Sequence, residues 1–146
     1  MTRLALLAAA LAVALAGGAV AAENRQVKIR LHGIDAPEAK QAFGTVARKA
    51  LADLIADKVV SVEEVDRDRY GRVVANVRVA GKLVNTEMVR SGLAWRYIQY
   101  DKQNEFGAIE DDARRHRRGL WADAHPVAPW EWRKTERDRK AVEAGR

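Results

Sequence analysis

The hydrophobic period of the chain switches within one short span, and this constrains the fold more than any other feature. From Gln26 to His32 the residues alternate strictly: Val27, Ile29 and Leu31 share one face, and Gln26, Lys28, Arg30 and His32 share the other. That is a half-buried strand. From Phe43 the apolar positions fall at helical spacing, through Val46, Ala47, Ala50 and Leu51 to Leu54, which makes an amphipathic helix. Gly33 permits a bend between the two elements. Gly44 weakens the first turn of the helix, so its firm part is expected from Thr45.

The rest of the chain continues that pattern. Val59 to Val65 is rich in valine and predicts a strand, Arg67 to Gly71 is a polar turn, and Val73 to Val79 alternates again, so the pair reads as a hairpin. Gly81-Lys82 makes the next turn. Asn85 is placed to cap a short helix running to Arg90, with Gly92 ending it. Leu93 to Tyr97 reads as a short extended segment. A last helix is expected from Asn104 to Arg118, with Phe106, Ile109 and Ala113 on its buried side and Gly119 stopping it. Pro126 and Pro129 make the following segment irregular. The tail, 133–146, mixes charges densely and is expected to be solvated or disordered.

The chain has 146 residues and no cysteine. That is enough for one domain, whose stability must come from apolar packing or a bound ion. Residues 1–21 read as a secretory signal peptide: Arg3 gives a positive start, Leu4 to Ala16 are apolar, and Ala19-Val20-Ala21 suits cleavage. The apolar run falls short of the roughly 20 residues of a membrane span. A secreted or periplasmic location is therefore expected, with the domain at 22–132. The net charge is +6. A basic domain of this kind favours a polyanion as partner, although charge alone also fits a soluble basic protein without one.

Two short motifs carry candidate chemistry. Arg30-Leu31-His32-Gly33-Ile34-Asp35-Ala36-Pro37-Glu38 brings an arginine and two carboxylates to one corner. Asp35 and Glu38 are hard oxygen donors suited to Ca²⁺ or Mg²⁺, and Arg30 can grip a phosphate with two parallel hydrogen bonds. The same residues also read as an ordinary helix start, with Asp35 as cap and Glu38 reaching back to it. Asp68-Arg69-Tyr70-Gly71-Arg72 is a tight turn that delivers a second arginine to the start of a strand; its plain reading is a charged hairpin turn. His32, His116 and His125 lack any paired ligand spacing. The basic run Arg114 to Arg118 reads as a solvated helix end or a contact to nucleic-acid backbone. Pro129-Trp130-Glu131-Trp132 anchors the C-terminal segment or stacks on bases.

Taken in order, these motifs resemble the staphylococcal nuclease (thermonuclease) family, in its secreted bacterial form. The likeness runs from about Gln26 to Trp132. It takes in the corner, the Asp68 to Arg72 turn, Val84-Asn85-Thr86-Glu87-Met88-Val89 with Gly92-Leu93-Ala94, Arg118-Gly119-Leu120-Trp121 and Pro129-Trp130-Glu131-Trp132. The resemblance implies an OB-type small β-barrel with three helices. It implies a Ca²⁺-dependent endonuclease acting on DNA and RNA as a monomer, with no stable protein partner. Asp35 and the main-chain carbonyl of Ala36 would be metal ligands. Glu38 would position or deprotonate the attacking water, Arg30 and Arg72 would hold the phosphate, and Tyr70 and Tyr100 would sit near the nucleotide.

The chain departs from the family pattern in one respect. Family members carry Asp-Gly-Asp-Thr on an earlier strand, and its first aspartate supplies a second metal carboxylate. The corresponding place here falls at Ala16, inside the signal region. The barrel is therefore expected to be incomplete at its first strands and the Ca²⁺ site to be weakened, with Glu23, Asp66 and Asp68 as local substitutes. A catalytically weak or inactive OB-type module that binds nucleic acid, or an unstable fragment, are the alternatives this leaves open.

Overall fold

A computed structural model describes residues 26–145. Residues 1–21, read above as a signal peptide, and Glu23 lie outside the described residues. The elements in chain order are β1 (Ile29–Leu31), β2 (Ile34–Asp35), α1 (Gly44–Ile55), β3 (Ser61–Arg67), β4 (Val73–Val79), β5 (Lys82–Leu83), α2 (Val84–Arg90), β6 (Trp95–Arg96), α3 (Gly107–Arg115), a 3₁₀ turn (Gly119–Ala122) and α4 (Pro129–Ala144). The architecture is α+β and OB-like, as the resemblance implies, with four α-helices among the described residues where three were expected.

β4 is the centre of the main sheet. It pairs in parallel with β1 and antiparallel with β3 and β5, while β2 and β6 form a separate antiparallel pair. Among the described residues β1 and β3 each pair with β4 alone, so the sheet does not close into a barrel. β4 is the alternating valine strand of the sequence, and it is buried on both faces because helices and neighbouring strands cover it.

The outer strand, β3, differs from its expected range. The register shifts between Glu64 and Asp66, so Val65 is the extra residue of a bulge and is exposed. A bulge bends and twists an edge strand. Together with the charges of Glu63, Glu64, Asp66 and Arg67, it discourages edge-to-edge pairing.

The core joins Leu31 and Ile34 to Leu51 of α1, Val77 of β4, Val84, Met88 and Val89 of α2, and Phe106 ahead of α3. α1 uses Ala47 and Leu51 as its buried face, whereas Val46 is exposed, so its stripe is narrower than the spacing implied. A second small cluster of Ala113, Leu120 and Trp121 packs against Phe43 and Trp95.

Two local expectations are corrected. Asn85 makes no cap for α2, since that helix has no side-chain cap. Asn85 is instead fully buried. Its Oδ1 accepts from Val77 N–H at 3.1 Å, and its Nδ2 donates to the His32 carbonyl at 3.0 Å and the Ala75 carbonyl at 3.3 Å. The tail expected to be disordered is the greater part of α4. Pro129 opens that helix at its first position, where its missing N–H costs nothing. The mixed charges fall at helical spacing, with Arg139 bridging Glu136 at 2.9 Å and Glu143 at 2.6 Å.

Candidate active site

The corner is built by one turn and one loop. Gly33 has φ +69°, and a Cβ there would lie 2.7 Å from the Phe106 ring. This residue turns the chain from β1 into β2, and its carbonyl accepts from Tyr97 N–H at 2.8 Å. β2 then pairs Asp35 with Trp95 and Ile34 with Arg96. After Ala36 and the buried Pro37, Glu38 sits at the head of a tight loop closed by Gln41. Gln41 Oε1 accepts from Glu38 N–H at 3.1 Å, and Gln41 N–H donates to the Glu38 carbonyl at 2.8 Å. Gln41 Nε2 reaches the Val127 carbonyl at 2.6 Å, so the loop is also tied to the segment leading into α4. Gly44 lies so near the Glu38 carbonyl that a Cβ would collide with it.

This geometry removes the helix-cap reading of the corner. α1 begins at Gly44 with Phe43 ahead of it and has no side-chain cap. Asp35 belongs to a strand and Glu38 to a loop. Their carboxylates meet on a third residue, Arg133 of α4. Its Nη2 lies 2.7 Å from Asp35 Oδ2, and its Nη1 lies 3.4 Å from Asp35 Oδ1 and 2.9 Å from Glu38 Oε1. The three side chains are 34%, 15% and 21% exposed for Arg133, Asp35 and Glu38, which makes this more than a surface ion pair. Burial works against the Arg133 charge, but the hydrogen bonds and charges of Asp35 and Glu38 outweigh it, so its pKa is raised above the ordinary arginine value.

Arg30 lies on β1, the strand before β2. Its guanidinium lies over Tyr100, 4.7 Å from the ring centre, and 5.5 Å from that of Tyr97. Tyr97 in turn stacks on Trp130, with centroids 5.1 Å apart and planes 7° from parallel. Trp130 and Arg133 are three apart on α4, so one face of its first turn supplies both. Anchoring of the C-terminal segment, the structural reading of Pro129 to Trp132, is what Trp130 does here.

Arg72 stands just ahead of Val73, the first residue of β4, and β4 runs parallel to β1, which carries Arg30. Asp68 aims Arg72. Asp68 Oδ1 accepts the N–H groups of Tyr70 (2.9 Å) and Arg72 (3.0 Å), and Oδ2 pairs with Arg72 Nε. Burial raises the pKa of Asp68, but these hydrogen bonds and the Arg72 charge outweigh it, so its pKa is lowered. Tyr70 is half exposed at the tip, with Arg69 and Arg72 over its ring at 4.9 and 5.8 Å. Asp68 is thus occupied with its own turn, and no group of three or more Asp, Glu, His or Cys able to hold a metal occurs among the described residues. In kind, the donors at the corner suit a hard cation. In number, they are two carboxylates shared with a guanidinium.

The basic run on α3 is largely occupied locally. Arg114 pairs with Glu110 at 2.6 Å and lies over Trp121 at 3.9 Å, and Arg118 pairs with Asp112 at 2.7 Å.

Comparison with known proteins places the chain in a family. A family model described as staphylococcal nuclease homologue matches residues 28–123. The chain belongs to the staphylococcal nuclease family. It is 45% identical over 111 residues to an uncharacterized endonuclease of Escherichia coli, covering 75% of this chain and 72% of that protein. It is 43% identical over 113 residues to the staphylococcal-like nuclease CAN1 of Arabidopsis thaliana, covering 77% of this chain but 35% of that protein. Protein ParB of Escherichia coli is 41% identical over 132 residues, with 83% and 75% covered. The chain thus spans about a third of the length of the plant relatives it matches.

Arg133, Gln41 and the Tyr97–Trp130 stack were not singled out from the sequence. The usable signal for Arg133 was Pro129, a helix-start residue that places Trp130 and Arg133 on one face.

Proposed function

We propose that this family member is a metal-dependent endonuclease that hydrolyses phosphodiester bonds of DNA and RNA, with Ca²⁺ as its metal. The observation that carries the reading is the convergence of Asp35 and Glu38 within reach of one guanidinium, with Arg30 on β1, the strand that precedes Asp35's in the chain. A corner that holds two carboxylates around a cationic group is chemically suited to hold a cation.

In this reading Arg30 and Arg72 grip the non-bridging phosphate oxygens and offset the charge that grows on them in the transition state. Glu38, held in place by Gln41, orients the attacking water and accepts its proton. The water oxygen forms a bond to phosphorus, one ester P–O bond breaks, and the leaving oxygen takes up a proton, giving a phosphate monoester and a free hydroxyl. Asp35 and the Ala36 carbonyl would hold the Ca²⁺. Such an ion, when bound, polarises a phosphoryl oxygen and acidifies coordinated water. Tyr70 and Tyr100, both substantially exposed, would lie against the nucleotide. The apolar segment 1–21 would direct the chain out of the cytoplasm, and the basic charge would favour the polyanionic substrate.

The test is cleavage of single-stranded DNA and of RNA by the full chain, with Ca²⁺ and with a chelator. Cleavage that stops with chelator, and falls by at least about 100-fold in Glu38→Gln, is the expected result. Binding without cutting under all these conditions would refute it.

A further inference from the structure

Among the described residues, Arg133 is the cation that touches both corner carboxylates, and it comes from the element that also supplies Trp130. Its two terminal nitrogens face both oxygens of Asp35 as a fork, and one of them is shared with Glu38. A Ca²⁺ ion binds carboxylate oxygens at about 2.3–2.6 Å. The nearer guanidinium nitrogen stands 2.7 Å from Asp35 Oδ2, so an ion on this side of Asp35 would have to occupy the volume that nitrogen fills.

We propose that Arg133 is the corner's internal cation, and that a divalent cation and the Arg133 guanidinium compete for the Asp35–Glu38 pair. This rests on the reading of the corner as the nuclease's cation site. Binding of the ion releases Arg133. Because Trp130 is on the same turn of α4 and stacks on Tyr97, release of Arg133 loosens that turn and with it the ring that Arg30 faces. Linkage then runs both ways: whatever weakens Arg133 tightens the ion, and the ion weakens the docking of α4.

The experiment uses the full-length protein and Ca²⁺ itself. Calorimetric titration compares the wild type with Arg133→Gln and with the double variant Arg133→Gln/Asp35→Asn. Amide hydrogen exchange follows the first turn of α4 with and without Ca²⁺. Tighter Ca²⁺ binding by Arg133→Gln, by about fivefold or more, is expected, together with faster exchange around Trp130 to Arg133 in wild type when Ca²⁺ is added. Unchanged or weaker binding by a folded Arg133→Gln overturns the proposal, as does slower or unchanged exchange in the wild type. If Arg133→Gln does not fold, the wild-type exchange decides alone. The double variant separates the two readings. If its binding is lost while Arg133→Gln alone binds no more tightly than wild type, only the competition fails. If its binding is retained, the corner is not the cation site and both fail.

Discussion

Asn85→Ala is expected to destabilise the protein by about 2–4 kcal/mol, because the Asn85 amide accepts a buried N–H of β4 and donates to carbonyls at the end of β1 and in β4. The side chain is fully buried and touches three elements. It receives Val77 N–H on β4 and donates to the His32 carbonyl after β1, while standing in the first turn of α2. Alanine leaves the Val77 donor and the His32 acceptor without this partner. An orphaned buried group costs about 1–3 kcal/mol, and the methyl-sized residue also leaves a cavity. Against a typical total of about 5–15 kcal/mol, the loss is large, and it should lower the melting temperature by roughly 10 °C or more for a domain of this size. Asn85→Asp discriminates further. It retains an acceptor for Val77 N–H but turns a carboxylate oxygen toward the His32 carbonyl, so it should cost at least as much as alanine. Urea unfolding followed by circular dichroism measures both. An alanine variant within about 1 kcal/mol of wild type would show that these groups find other partners, and the bridging role would be refuted.

Two further changes probe the site's frame. Gly33→Ala forces a side chain into a left-handed backbone, about 1–2 kcal/mol, and drives its Cβ to 2.7 Å from the Phe106 ring, about 1–3 kcal/mol more. Denaturation should show a loss of about 2–5 kcal/mol; a loss below about 1 kcal/mol would contradict the packing. Asp68→Asn tests the turn that aims Arg72. The folded pKa of Asp68 is lowered, so its stabilisation is present above the ordinary aspartate pKa of about 4 and fades as pH falls through the lower folded value. The gap between wild type and Asp68→Asn, about 1 kcal/mol at neutral pH, should shrink in unfolding curves at about pH 3; a gap that widens in acid would contradict it.

Much of this architecture was legible because the relevant signals are local. The alternation of Val73 to Val79 appears as β4, and the Asp68 to Arg72 segment as the turn ahead of it. The helix after the corner begins at Gly44, one residue from its expected start. What was not legible depends on distant contacts. Asp35 and Glu38 have the spacing of a helix cap, and only the Gln41 bonds to Glu38 and Val127 show that a loop intervenes before the helix. Asn85 has a capping residue's chemistry, yet its amide is used by strands before it in the chain. The mixed charges of 133–146 suit both a solvated coil and a helix with charge pairs. The choice is made by Trp130 and Arg133 finding partners about 30 and 100 residues earlier.

Each charged group of the candidate site already has a local partner in this structure. Asp35 and Glu38 hold Arg133, Asp68 holds Arg72, and the tyrosine faces hold Arg30. These partners are not equally hard to exchange. An arginine on an exposed ring gains only about 0.5–1 kcal/mol, so a phosphate that offers two charge-assisted hydrogen bonds can take Arg30 from Tyr100 at little cost. Arg72 is held mainly through Nε by a carboxylate that also closes its own turn, so a phosphate is better added beside Asp68 than exchanged for it. The Arg133 cluster is costlier to open than the Arg30 contact, because removing its guanidinium strands two partly buried carboxylates at once. On the proposed reading, capture of a phosphate by Arg30 and Arg72 would need little rearrangement of the protein, whereas admission of a cation at Asp35 and Glu38 would require Arg133, and with it the first turn of α4, to yield.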